Sequence, residues 1–259
     1  MKKFRRSLVI VAMAAAAVIL FGSVARAGIT SDTIAIKFGI TEPLKDGSLM
    51  DPFDVAGVPG IADTGNWNNA VPLALSQFEG SQYVSNLGRV NNLVRDTNGV
   101  ATTTSASVTW SAQNTWASSG RGEENNTFPG DNGNPSPNRK LMLGYLDQET
   151  GGQAHAVTRI DITGLPDDMA LGFKVIIYEI GGTGSRGGTY TVNGMSQTGT
   201  SGDAVNGSNG PTFVLDPGDG SAPGNYLLFT GLSGSTVRIR ARNDNSRAVI
   251  NGIEIVKTP

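Results

Sequence analysis

Aromatic rings set among amides and carboxylates are the features of this sequence best suited to chemistry. Trp67 stands in Asn66-Trp67-Asn68-Asn69, a polar, turn-like setting. Trp116 opens a long polar loop over 114–138, and Tyr145 lies just beyond it with Asp147 two residues on. Sugars present apolar C–H faces that stack on Trp and Tyr, while amides and carboxylates fix their hydroxyls. Trp67, Trp116 and Tyr145, with Asn69 and Asp147, therefore form a candidate saccharide-binding set. Burial is the competing assignment, because tryptophan is largely a buried residue. Trp110 belongs to the core by its strand phase.

Other chemistries find less support. The chain has no cysteine, which excludes disulfides, thiolate metal sites and thiol nucleophiles. His155 is the sole histidine; no G-x-S-x-G elbow accompanies it, and zinc calls for several His or Cys ligands. Glu123, Glu124, Asp147 and Glu149 would serve a two-carboxylate hydrolase only if a pair faced across a cleft, and their spacing does not place one. No catalytic residue is assigned, and the chain reads as a non-enzyme. Gly182-Thr183-Gly184-Ser185-Arg186-Gly187 matches G-x-G-x-x-G, but a strand-like segment follows where a dinucleotide site needs a helix, so it reads as a hairpin loop. Asp131-Asn132-Gly133-Asn134 and Asp216-Pro217-Gly218-Asp219-Gly220 bring hard oxygen donors onto loops, as a structural calcium requires. The same residues are the ordinary ones of tight turns. No cofactor is required by the sequence, and no ligand set for calcium is fixed by it.

The elements that must carry these residues are strands. Short runs of Val, Ile, Thr and aromatics recur between Gly, Asn, Asp and Pro, which predicts about nine to ten strands. They fall at 33–38, 91–95, 100–112, 156–163, 170–180, 188–193, 212–215, 225–230, 236–242 and 248–256. Asn98-Gly99 is a favoured hairpin pair joining the second and third. Within 100–112 the alternation assigns Val100, Ala106, Val108 and Trp110 to one buried face. In 236–242, Val237, Ile239 and Ala241 alternate with Arg238, Arg240 and Arg242, while 170–180 is apolar on both faces, as suits a central strand. Residues 140–148 predict a helical turn or two. The expected architecture is all-β: one β-sandwich domain over 28–259 with jelly-roll topology.

The first residues have the layout of a secretory signal, with a basic start, an apolar run over 8–21 and Ala25-Arg26-Ala27 as the expected cleavage site. The segment over 1–27 is therefore read as a signal peptide, and the rest as exported to the periplasm, cell surface or medium, without membrane insertion. That leader holds five of the 20 basic residues and none of the 22 acids, leaving 15 against 22 and a net charge of −7. Such a balance argues against nucleic acid as a partner.

Asp54-Val55-Ala56-Gly57, Asn66-Trp67-Asn68-Asn69, the run Leu141-Met142-Leu143-Gly144-Tyr145-Leu146-Asp147, Ile162-Thr163-Gly164-Leu165-Pro166 and the stretch from Ile250 to Ile255 resemble landmarks of β-sandwich domains in exported proteins of planctomycete-type bacteria. Those domains are similar to galactose-binding-like jelly rolls, the group that includes malectin and several carbohydrate-binding modules. The resemblance spans most of 33–256. It implies a sugar-contacting asparagine near the final strand, a place held here by Asn251, and it agrees with loop aromatics and a structural calcium. By strand phase Asn251 falls on the core side with Val249, Ile253 and Ile255; a bulge at Asn251-Gly252 would re-aim it. The expected function is a non-catalytic binding module for a polysaccharide or glycoconjugate. A structural or adhesive protein binding envelope proteins, and a carboxylate-based glycoside hydrolase, are the alternatives.

Overall fold

Period-two alternation decides which side of each strand is buried. Val237, Ile239 and Ala241 are fully buried, whereas Arg238 and Arg242 between and beside them are exposed. The computed structural model describes residues 32–39, 49–72, 78–79, 82–84, 87–117, 136–147, 157–181, 186–201, 212–244 and 247–259. The expected leader, His155, the Asp131 turn, Glu123, Glu124, Glu149 and most of the 114–138 loop lie outside the described residues.

In chain order the elements begin with β1 (Asp32–Phe38), β2 (Asn68–Ala70), β3 (Phe78–Glu79), β4 (Gln82–Val84), β5 (Leu87–Val90) and β6 (Val94–Thr97). Next come β7 (Val100–Thr103), β8 (Ser107–Ser111), β9 (Asn114–Ala117), helix α1 (Pro137–Leu143) and β10 (Gly144–Asp147). Then follow β11 (Val157–Thr163), the helical turn α2 (Asp167–Ala170), β12 (Phe173–Tyr178), β13 (Arg186–Val192) and β14 (Met195–Ser201). Strands β15 (Tyr226–Leu232), β16 (Thr236–Arg242) and β17 (Gly252–Lys257) close the described chain.

These strands make an all-β sandwich. One sheet runs β15-β12-β17-β1-β6-β7, with short β2 added in parallel to β1; the opposing sheet runs β14-β13-β16-β11-β8-β5. All other pairings between these named strands are antiparallel among the described residues. The core between the sheets takes Ile34, Ile36, Val175, Ile177, Ile253 and Ile255 from one and Val108, Ile160, Ile162, Val237 and Ile239 from the other. Phe38 and Trp110 meet across it edge to face, with ring centroids 5.6 Å apart. A small third sheet, β10-β9-β4-β3, holds the start of the long loop in β9 and the strand that follows α1.

The second face of the seven-stranded sheet is covered as well. Met50, Ala56, Val58, Ala62 and Trp67 from the loop before β2, with Leu141 and Met142 of α1, pack on Ala35, Ile176, Tyr178 and Val256. This loop closes on itself through paired hydrogen bonds between Ala56 and Thr64, both 3.0 Å. Gly57 permits that closure: its φ is +126°, and a Cβ there would stand 1.9 Å from the Ala62 carbonyl oxygen. Helix α1 starts at Ser136, whose hydroxyl accepts from the Arg139 amide, with Pro137 in its first turn.

Several expectations are met and others corrected. Asn98 and Gly99, at φ +54° and +85°, form the β6–β7 hairpin turn. β12 is buried on both sides and flanked by β15 and β17. The segment 100–112 is not one strand: the chain leaves the seven-stranded sheet after Thr103 and enters the six-stranded one at Ser107. Val100 is consequently 63% exposed at a sheet edge, while Ala106, Val108 and Trp110 are buried as expected. Residues 212–215 form only an isolated bridge from Leu215 to Tyr226, and the 140–148 helix lies earlier, giving way to β10 at Gly144.

Candidate functional site

The outward face of the six-stranded sheet is built from the polar half of each alternation. β16 contributes Arg238, Arg240 and Arg242; β11 contributes Arg159, Asp161 and Thr163. β13 adds Thr189 and Thr191, and β8 adds Ser107, Thr109 and Ser111. Register fixes who meets whom. Arg159 lies opposite Arg240, Asp161 opposite Arg238, Thr189 opposite Arg242 and Thr191 opposite Arg240. Arg240 is anchored, donating through Nη1 to the Ile239 carbonyl at 2.8 Å and the Ile160 carbonyl at 3.2 Å, and through Nη2 to Asp161 Oδ1 at 2.9 Å. Arg242 pairs with Asp244 at 2.9 Å. Arg159 and Arg238 have no ion-pair partner among the described residues.

Two open depressions adjoin on this face. One, of about 490 Å³, lies over Thr191, Asn193, Gly194, Thr236, Arg238 and Arg240. The other, of about 500 Å³, is lined by Arg159, Thr189, Ser196 and Arg242 among others, and the two share Thr191 and Arg240. Their described lining holds guanidinium, hydroxyl and amide donors but neither a carboxylate nor an aromatic ring. It can hold an extended polar ligand.

The aromatic set expected from sequence lies elsewhere and is divided. Trp67 is 8% exposed in the layer beneath the seven-stranded sheet, tilted against Tyr178 at 6.3 Å, its Nε1 donating to the Thr64 carbonyl at 3.0 Å. Its neighbour Asn66 is at φ +53°, which is the turn the sequence suggested. Asn69 ties the loop, donating to the Met50 carbonyl and accepting from the Met50 amide. Trp116 and Tyr145 stand opposite each other across β9 and β10 and pack on Val249, at 6% and 1% exposure. Asp147 is buried and accepts from Arg247 at 2.7 Å. As placed, none of the three rings offers a face for stacking, because each fills space that a strand pair or loop would otherwise leave void.

Asn251 is also internal. Ile250 and Ile253 both enter the core although three residues apart, so the alternation breaks at Asn251-Gly252 and the asparagine turns away from the core, toward α1. Its Oδ1 accepts from the Ile180 amide, and its Nδ2 donates to the Met142 and Gly144 carbonyls at 2.9 and 3.2 Å. Beside it Lys37 is fully buried, its Nζ donating to the Phe38, Gly144 and Asn251 carbonyls. Burial pushes this amine well below its ordinary pKa, and the three carbonyls satisfy its donors.

Two glutamates are likewise buried. Burial first, and the adjacent Asp216 charge second, push Glu179 well above the usual carboxylate range. The Tyr190 hydroxyl near it donates instead to the Val249 carbonyl at 2.9 Å, and no described N–H reaches either Glu179 oxygen. Glu254 accepts from the Tyr178 hydroxyl at 2.6 Å and is also raised by burial. In the second calcium-type turn, Asp216 accepts from the Thr200 and Gly218 amides, and Asp219 accepts from the Ser221 amide, which is turn chemistry. No group of three or more His, Cys, Asp or Glu side chains that could hold a metal ion is found among the described residues.

The arginine alternation of β16 was legible in the sequence; its meeting with Arg159 was not, because strand partners are chosen by the fold. The chain matches no family model, no curated protein and no solved structure. The site itself therefore carries the functional argument.

Proposed function

We propose that this protein is an exported, non-catalytic binding module for a polysaccharide or glycoconjugate, built on a galactose-binding-like sandwich and holding its ligand on the outer face of the six-stranded sheet. One observation carries this reading: the adjoining depressions that share Thr191 and Arg240 make an elongated, open strip of hydrogen-bond donors and acceptors. A chain of hydroxyl-bearing units matches such a strip better than a small ligand, which prefers an enclosed and largely apolar pocket. The leader-like segment at 1–27 supports an address beyond the inner membrane. A glycan and polysaccharide array probed with the purified protein tests the reading, with retention of at least one polysaccharide as the expected result. Silence across the array would refute it.

A second reading, an adhesive envelope protein, is favoured by the sheet edges. All four residues of edge strand β7 are exposed, and Leu87 on edge strand β5 is 70% exposed. Unpaired edges accept strands from other chains. Crosslinking in intact cells that captured one protein neighbour, alongside a silent array, would select this alternative.

A further inference from the structure

We infer that the ligand of the six-stranded face is an acidic polysaccharide, one bearing carboxylate or sulfate groups. The inference rests on the binding-module reading and names its ligand class.

Charge is the first argument. The chain beyond the expected leader is acidic, yet this face gathers Arg89, Arg159, Arg238, Arg240 and Arg242 against Asp161 and Asp244. Arg89 joins the set because it lies opposite Thr109 of β8. A fold that segregates its arginines from its acids in this way creates a local field that attracts anions despite the opposite net charge.

Register is the second. Arg159 and Arg240 are direct cross-strand partners, an arrangement of like charges that destabilises a sheet. Asp161 lies opposite Arg238 in the ladder but gives its ion pair to Arg240, and neither Arg159 nor Arg238 has an ion-pair partner among the described residues. An anion laid between them would supply the missing counter-charge. Guanidinium groups bind carboxylate and sulfate through paired N–H donors, which fixes orientation as well as charge.

The third argument is what the face lacks. Neutral sugars are held in water largely by stacking on aromatic rings, and no aromatic lines either depression among the described residues. Affinity there must come from charge-assisted hydrogen bonds. The hydroxyls of Thr189, Thr191 and Ser196 then serve the sugar ring between acidic groups. Nucleic acid fits less well, since no ring for base stacking lines either depression among the described residues.

The test is binding of the purified protein to dextran and galactan (neutral), polygalacturonate and alginate (carboxylated), carrageenan and dextran sulfate (sulfated), and duplex DNA. Retention of a carboxylated or sulfated polymer, weakening as salt rises from about 0.05 to about 0.5 M, is expected. The arm that binds identifies the acidic group. The R159S/R238S variant, altered only at exposed positions, is expected to keep or slightly raise its melting temperature and lose about tenfold or more in affinity. Preference for a neutral polysaccharide would overturn the acidic ligand while leaving the binding module standing; no binding to any glycan would remove both. DNA bound as tightly as the acidic polymers, or undiminished binding by R159S/R238S, would also overturn the inference.

Discussion

Arg159 and Arg240 face each other as direct partners across the β11–β16 ladder. Like charges so placed cost stability, by about 0.2–1 kcal/mol on the scale of cross-strand pairs. Arg159→Thr keeps a strand-compatible side chain and removes the repulsion. We expect its urea midpoint to rise slightly while acidic-polysaccharide affinity falls. Opposite signs in the two measurements are the mark of a residue kept for binding; a drop in both would assign Arg159 to the scaffold.

Gly88 lies opposite Trp110, and a Cβ there would stand 1.8 Å from the indole Cζ2. Gly88→Ala must therefore displace Trp110 from its edge contact with Phe38. A loss of about 1–3 kcal/mol, the range for an overpacked core, is expected in chemical denaturation. Tryptophan emission should shift to the red in the folded state; an unchanged spectrum would contradict the packing described.

Glu179 and Glu254 give stability a pH dependence of defined sign. Burial raises both above their ordinary value of 4.5, so the folded state holds protons that the unfolded chain releases. Their contribution is complete below pH 4.5 and is lost as pH rises through the folded values. Relative to E179Q/E254Q, the wild-type urea midpoint should decline as pH rises above 4.5. A double variant that tracks the wild type at every pH would show that neither glutamate is held protonated.

Asn251→Ala separates an internal role from a surface one. It strands the Ile180 amide and removes a donor from the Met142 carbonyl. Each buried polar group so orphaned costs about 1–3 kcal/mol, so a loss near 3 kcal/mol is expected. A variant with full stability and weakened glycan binding would instead return Asn251 to the ligand.

By itself the sequence determined the local half of this protein. Alternation in 236–242 gave a strand with its arginines outward, Asn98-Gly99 gave a hairpin, and the two-sided apolar run before Glu179 gave a central strand. Each follows from the geometry of a single stretch of backbone, so a short window contains the whole cause. The tertiary structure decided everything that depends on which stretches become neighbours. It split 100–112 between two sheets, and it roofed the seven-stranded sheet with the loop that buries Trp67. It also broke the alternation at Asn251, where the end of α1 and the start of β10 supply the carbonyls that the side chain needs. Above all it set Arg159 against Arg240. Composition already held those charges, but only strand pairing across the sheet could bring them together on one face.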